Sequence, residues 1–332
     1  MATLHQQYID FNSKIRLTDT RFSSLKTSRK DLRKKIRKWF RENKPDELKP
    51  KFGGQGSTEM DTTVNPIPVT DAAGKELLKY DLDDGVYFLE KDGEDNRQTV
   101  ETWRDWLYSS VDGHTATPPL RHKACIRVIF SDGHHIDLPL YYKNGEIIEL
   151  AHKDDGWLES DPKAFYDWFN DESKGKPQLK RIVRFLKAWK NFQENENANT
   201  FVASGFSLSI LAVNNYKADD NDDMAFQKTI TAIRDELKRD FKCLRPTTPA
   251  GEDVFDSYTN DMKDKFLARL DELAQACDDA QEEMNQRKAS EFLRAQFGQR
   301  FPLGADEDET QKSNRLASAM GAATIRPIPY SR

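Results

Sequence analysis

The run Tyr80-Asp81-Leu82-Asp83-Asp84-Gly85-Val86-Tyr87-Phe88-Leu89 sets two aspartates two residues apart in an apolar, strand-like context. Side chains two apart on a strand leave from the same face. Asp81 and Asp83 therefore project together, while Leu82 points into the core. Like charges held side by side repel unless a proton or a cation separates them. A hard divalent ion with oxygen ligands suits such a pair, and magnesium accepts carboxylates together with substrate phosphates. Asp137 stands in His135-Ile136-Asp137-Leu138-Pro139-Leu140-Tyr141, where it alternates with Ile136 and Leu138 and projects from the opposite face. A third carboxylate on a neighbouring strand would complete a site for two ions roughly 3.5–4 Å apart. An isolated Asp-x-Asp is also what a turn or a surface edge carries. The order of features gives it weight: a glycine loop with a serine, then Asp-x-Asp on an apolar strand, then a lone aspartate on another.

Phe52-Gly53-Gly54-Gln55-Gly56-Ser57 supplies that loop. Glycine lets backbone N–H groups approach phosphate oxygens, and a serine hydroxyl adds a donor. Taken alone, the same residues make an ordinary turn. Lys187, in Arg184-Phe185-Leu186-Lys187-Ala188-Trp189, reads equally as a surface lysine or as a point charge on the phosphates of a nucleotide. Ser207, in Ser204-Gly205-Phe206-Ser207-Leu208, reads equally as a helix-start residue or as a further phosphate contact. His134 and His135 adjoin the third carboxylate but face opposite sides, and no Ser-His-Asp arrangement has local support.

These residues need a scaffold. Val100, Trp103, Trp106, Leu107 and Val111 form a helical stripe over 99–112. Two strand-like runs, 123–130 and 134–142, are joined by Ser131-Asp132-Gly133, a hairpin signal. Residues 20–44 carry Leu25, Leu32, Ile36 and Phe40 at helical spacing, with a basic cluster from Arg29 to Lys38 that a solvated face explains by default. The glycine cluster at 52–56 predicts a loop and Gly85 predicts a kink in its strand. From about residue 160 the pattern turns helical: Asp161-Pro162 opens one helix, and 177–193, 204–216, 222–241 and 257–297 supply others. The expected division is a helical segment over 1–45 that bridges two lobes, a catalytic core over 46–160, a helical lobe over 161–302 and a loose tail over 303–332.

The chain of 332 residues is long enough for two cored lobes. Its net charge of -5 speaks against a coat for long nucleic acid but leaves room for a local anion cleft. Cys125, Cys243 and Cys277 are too few and too scattered for a disulfide framework or a zinc site, and are expected to be reduced thiols. No apolar run approaches the roughly 18 residues that cross a bilayer, and the amino-terminal residues do not look like a secretory signal. The expected location is the cytoplasm.

At this point the residues resemble a known family, the bacterial cGAS/DncV-like nucleotidyltransferases, and most closely the branch containing the Vibrio cyclic GMP-AMP synthase. The resemblance rests on Gln55-Gly56-Ser57 with Asp61-Thr62 and Asn65-Pro66, on Asp81 through Tyr87, and on His135 through Pro139. It also rests on Trp157 through Pro162, running on through Asp167-Trp168-Phe169-Asn170-Asp171 and Arg181 to Trp189. The last patch is the most specific. The resemblance implies an α+β fold, a DNA polymerase beta-like nucleotidyltransferase core with a mixed sheet packed on a helical lobe. It makes Asp81, Asp83 and Asp137 the ligands of two Mg2+ ions. Gln55, Gly56, Ser57, Lys187 and Ser207 become contacts of the donor nucleotide. Met60 occupies the position where the Vibrio enzyme stacks a tyrosine on a base; its soft thioether keeps an apolar face there. The sequence closes on Ser331-Arg332 and not on the glycine that some members conjugate to a partner, so conjugation is not expected.

The implied activity is joining of two purine nucleotides, ATP and GTP, into a cyclic dinucleotide of the GMP-AMP type, with Asp137 beside the attacking ribose hydroxyl. The implied setting is anti-phage defence, with a downstream effector that senses the product, possible operon-encoded regulators, no membrane and no obligatory long nucleic acid. The alternatives are a linear oligonucleotide product, transfer to RNA or protein, or a catalytically inactive nucleotide-binding regulator.

Overall fold

The computed structural model describes residues 3–70, 74 and 76–307. Two helices open the chain, α1 (His5–Ile15) and α2 (Asp19–Asn43). The Thr18 hydroxyl caps α2 by accepting from the Arg21 amide. Strand β1 (Lys51–Gln55) runs into a single 3-10 turn at Gly56–Thr58, followed by the two-residue ladder of β2 (Val69–Thr70) and β3 (Glu76–Leu77). Then come β4 (Asp81–Leu89), α3 (Val100–Val111), β5 (Leu120–Arg121), β6 (Cys125–Ile129), β7 (His135–Asn144), β8 (Ile147–His152) and β9 (Gly156–Glu159). The rest is helical: α4 (Pro162–Glu172), α5 (Pro177–Glu196), α6 (Gly205–Asn215), α7 (Asp222–Arg239), α8 (Asn260–Glu282) and α9 (Gln286–Phe297).

The main sheet is mixed, in the order β1-β4-β7-β6-β5. Only β4 and β7 run parallel, and β7 pairs antiparallel with β6 along its first half and with β8 along its second. Alternation along the strands separates two faces. Leu82, Val86 and Phe88 of β4, with Ile136, Leu138, Leu140 and Tyr142 of β7, form one core with Leu25, Leu32, Ile36 and Phe40 of α2 and Trp103, Leu107 and Val111 of α3. Phe88 and Trp103 stack at its centre, ring centroids 4.6 Å apart. The other face carries the polar residues.

A second core holds α4 to α9 together and includes Tyr8, Phe11 and Ile15 of α1. Tyr8 and Phe11 both lie on Phe185 of α5. The first helix thus belongs to the helical lobe and the second to the sheet. Asn65 fixes the break between them, donating from Nδ2 to the Arg16 carbonyl at 2.7 Å and accepting from Arg21 at 2.7 Å.

Three local expectations are corrected. The stretch 52–55, expected as loop, is strand β1, and β4 runs through Gly85 in register with Gly53. Both glycines answer to Tyr87, whose ring lies over the pair: a Cβ at Gly53 or Gly85 would stand 3.2 or 2.6 Å from its Cε2. Glycine is there for ring clearance and not for a bend. Residues 303–307 are likewise not loose. The Gly304 amide donates to Ser290, and the Gln286 amide donates to the Glu307 carbonyl. Residues 308–332, the remainder of the expected tail, lie outside the described residues.

Candidate active site

The polar face of the sheet presents its side chains in rows. The parallel register sets Asp83 beside Asp137, and the antiparallel partners extend that row to Gln55 on β1 and Arg127 on β6. Neighbouring strands lie about 4.8 Å apart, so the two carboxylates stand side by side. Asp81, one step along the same face, is level with His135. His134 points the opposite way, into a buried contact with Ser28 and Asp132. Asp84, the third acid of the β4 run, faces the helices and is gripped by Arg33 of α2.

Charge crowding marks the row. Burial, then the neighbouring Asp81 and Asp137, push the Asp83 carboxyl well above the usual carboxylate range. His135 is lowered by burial and by Arg127, against the pull of Asp137 and Asp81. Under the row, Tyr87 and Tyr141 stack at 4.8 Å, and Gln55 bridges their hydroxyls with 3.4 Å hydrogen bonds. Burial holds both phenols protonated.

The turn after β1 crosses this face. Gly56 has φ +70°, and a Cβ there would overlap Asp83 Oδ2. Ser57 and Thr63 share a hydroxyl hydrogen bond at 2.9 Å. The helical lobe reaches over the same turn. Lys187 of α5 donates to Thr62 Oγ1 at 2.8 Å, Arg184 to the Asp61 carbonyl and to Asn12, and Asn170 to the Glu59 carbonyl. Burial lowers Lys187 to about 8, although Asp81 and Asp83 favour its charge. Between the lobes lies a cleft of about 540 Å³, a size suited to small-molecule ligands. Its walls include Gln55, Gly56, Ser57, Met60, Thr62, Asp81, Asp83 and Lys187, and on the helical side Phe165, Phe206 and Arg245.

Residues 50–141 match the family model "Cyclic GMP-AMP synthase DncV-like, nucleotidyltransferase domain". That stretch is a DncV-like nucleotidyltransferase domain. A cyclic GMP-AMP synthase of Escherichia albertii is 31% identical over 68% of this chain, and the chain spans only 50% of that relative's length. A c-di-GMP synthase of Roseivirga ehrenbergii is 22% identical, with 90% of this chain and 85% of the relative covered. The crystal structure of the Vibrio cholerae DncV cyclic AMP-GMP synthase with a linear intermediate superposes with a TM-score of 0.77 at 21% identity. It covers 91% of this chain and 99% of that one, and shows that the mixed-sheet fold and its helical lobe are shared.

Within the DncV-like domain the structure brings Gln55, Gly56, Ser57, Met60, Asp81 and Asp83 to the cleft, and Lys187 joins them from the helical lobe. Asp137 is beside Asp83, but its carboxylate is turned to Arg127, which takes both oxygens at 2.7 and 2.8 Å. Ser207 is buried and hydrogen-bonds Ser204 at 2.9 Å behind the cleft wall; Gly205 and Phe206 of the same helix line it. Sequence reasoning missed Arg127 and Thr62. The one signal for Arg127 was its place opposite Asp137 across the hairpin; Thr62 had only its place in the Asp61-Thr62 patch that carries the resemblance, with no role attached.

The donor chemistry fits a hard cation. The oxygens of Asp81 and Asp83 share a face, no ion pair holds either among the described residues, and the Asp83 carboxyl is destabilised as an anion by its neighbours. As they stand, no group of three or more acidic, histidine or cysteine side chains is drawn up around a single ion position among the described residues. Completing such a site requires Asp137 to leave Arg127 or share itself with it.

Proposed function

We propose that this chain is a nucleotidyltransferase that joins two purine nucleoside triphosphates into a cyclic dinucleotide, of the GMP-AMP type, with release of pyrophosphate. One observation carries the reading. Asp81 and Asp83 line a cleft between two lobes, under a Gly56-Ser57 turn and opposite Lys187, and Asp137 stands in register beside Asp83. Carboxylates, a glycine turn and a lysine ammonium are the parts that phosphoryl transfer needs, since positioning and charge stabilisation supply most of its rate.

Asp81, Asp83 and Asp137 would hold two Mg2+ ions, which would supply Lewis acidity toward an attacking ribose hydroxyl and offset charge on the donor phosphates. The chain's own groups do the rest. The turn at Gly56-Ser57 offers backbone N–H groups and a hydroxyl to the triphosphate. Lys187 exchanges Thr62 for phosphate oxygens. Met60, Phe165 and Phe206 give the bases apolar walls, and the two lobes shield the reacting groups from water. Asp137, on a separate strand, is the carboxylate beside the acceptor hydroxyl. Ser207 acts on the triphosphate only through the start of α6. The product would serve as a second messenger for an effector protein in anti-phage defence, a role carried by the family resemblance alone.

A second reading, a different cyclic product such as c-di-GMP or a linear oligonucleotide, is favoured by the R. ehrenbergii relative and by Met60 in the position that meets a base. Incubation with all four nucleoside triphosphates and Mg2+, followed by mass spectrometry and linkage-specific nuclease digestion, separates these. A mixed adenine–guanine ring with one phosphate per nucleotide supports the first reading. A nuclease-labile chain or a single-base ring supports the second, and no product under any pairing sinks both.

A further inference from the structure

We propose that Arg127 is a latch on the third carboxylate: it neutralises Asp137, and a second divalent ion binds there only when Arg127 swings off that carboxylate. The inference rests on the nucleotidyltransferase reading and adds an order of loading to it. The three aspartates are not in equivalent states. Asp81 and Asp83 open on the cleft and have no ion-pair partner among the described residues. Asp137 is chelated, Nε of Arg127 on one oxygen and Nη2 on the other, and does not line the cleft. Two parallel charge-assisted bonds form a strong and directional pair. It is also preorganised: Arg127 and Asp137 are register partners across β6 and β7, so neither side chain has to reach.

Lys187 does not play the same part on the other side of the row. Its ammonium is bonded to the Thr62 hydroxyl, not to a carboxylate. The row therefore offers two carboxyls without an ion-pair partner among the described residues and one that is chelated. An ion that engages Asp81 and Asp83 meets no fixed cation on those oxygens. An ion that needs Asp137 meets a guanidinium already bound there, and a unit charge within about 5 Å of a divalent ion opposes it by several-fold to many-fold in affinity even in a well-screened site. The Arg127 side chain is 30% exposed against 12% for Asp137, so the arginine has somewhere to go and the carboxylate does not. The consequence is unequal occupancy. The first ion loads readily, and the second loads when a nucleotide's phosphates add the negative charge that outweighs the arginine.

Mn2+ counted by electron paramagnetic resonance on the full chain, with and without a non-hydrolysable ATP analogue, reads this without turnover. Wild type should take one ion tightly and a second weakly, the second tightening with the analogue. Arg127→Gln should tighten the second ion about tenfold or more without the analogue, and change the first far less, since Arg127 acts on Asp83 only from a distance. Arg127→Lys keeps a charge but loses the chelate, and should fall between. It serves if the glutamine variant fails to fold. Asp137→Asn should abolish the second ion in every background. If Arg127→Gln leaves the second ion unchanged or weakens it, the arginine orients Asp137 and the latch is wrong while the two-ion reading stands. If wild type takes no Mn2+ even with the analogue, the underlying reading fails with it.

Discussion

Lys187 of α5 reaches out of the helical lobe and donates to the Thr62 hydroxyl at 2.8 Å, one turn of chain beyond the Gly56-Ser57 corner. The group that would meet a triphosphate is thus parked on the loop that would cradle it. Arg184, one helical turn earlier, secures the same loop through the Asp61 carbonyl. Asp61 itself sits at φ +53°, a left-handed conformation uncommon for a residue with a side chain. The two lobes therefore share a loop, and a change on α5 is felt at the catalytic face.

The lysine gives a pH dependence with a definite sign. Burial lowers it from 10.5 to about 8 in the free protein. A bound triphosphate restores the charge, so above pH 8 binding must take up a proton. Nucleotide affinity should be flat below about pH 8 and weaken by up to about tenfold per pH unit above it. Lys187→Met should bind more weakly at every pH and lose that inflection. For folding the sign is the reverse. A lysine whose folded pKa is depressed loses stability as pH falls from 10.5 toward 8, so the methionine variant should be at least as stable at pH 7. Calorimetric titrations from pH 6.5 to 9.5 and thermal melts check both; an unchanged inflection in the variant would exclude Lys187 as its source.

Asp81→Asn combined with Asp83→Asn should abolish product while the fold survives and gains thermal stability. The gain follows from the raised Asp83 carboxyl, which its buried and like-charged surroundings disfavour as an anion. Removing two crowded charges should add on the order of 1 kcal/mol. Product assay and melting temperature are read on one preparation. Residual synthesis by a folded double variant would place the chemistry elsewhere.

Much of this was legible in the sequence because strand alternation is a hard rule. Two residues apart means one face, so Asp81 and Asp83 could be paired and His134 and His135 separated before any coordinates. Helix spacing was equally direct for α2, α3 and α5, whose buried positions are Leu25, Leu32, Ile36 and Phe40, then Trp103 and Leu107, then Leu179, Ile182, Val183 and Leu186. What failed were glycines and long-range partners. Gly53 and Gly85 looked like breakers because a sequence does not show the Tyr87 ring that lies over them. The pairing of Arg127 with Asp137 depends on strand register, which a hairpin signal suggests but does not fix. Thr62 became visible only when a helix more than a hundred residues later was packed against it.

Gly56→Ala should damage binding and stability together. The backbone there is left-handed at φ +70°, and the added methyl would occupy the space of the Asp83 carboxylate. Strain of about 1–3 kcal/mol is expected from the conformation alone. Because the methyl meets Asp83 and not a flexible surface chain, metal-dependent nucleotide binding should fall even at temperatures where the variant is fully folded. A variant that melts earlier yet binds nucleotide with wild-type affinity would show that the turn is structural only.

The same alternation sorts Asp84 from its neighbours and supplies the sharpest control. It is 1% exposed on the helix-facing side of β4, and Arg33 of α2 grips it, with Nε at 2.7 Å from Oδ2. Burial raises its pKa in spite of Arg33, which shows that desolvation opposes the pair even as the hydrogen bonds hold it. An asparagine there keeps one acceptor oxygen for Arg33 but replaces the other with an N–H2 group that faces the guanidinium, donor against donor. Asp84→Asn should therefore cost about 2 kcal/mol of stability, and leave nucleotide affinity and product formation within about twofold of wild type when assayed well below its melting temperature. Asp83→Asn, one residue away, should do the opposite on both counts. Chemical denaturation with a parallel product assay distinguishes them. If folded Asp84→Asn is as inactive as Asp83→Asn, the two faces of β4 are not functionally separate, and the placement of the catalytic row on one of them is wrong.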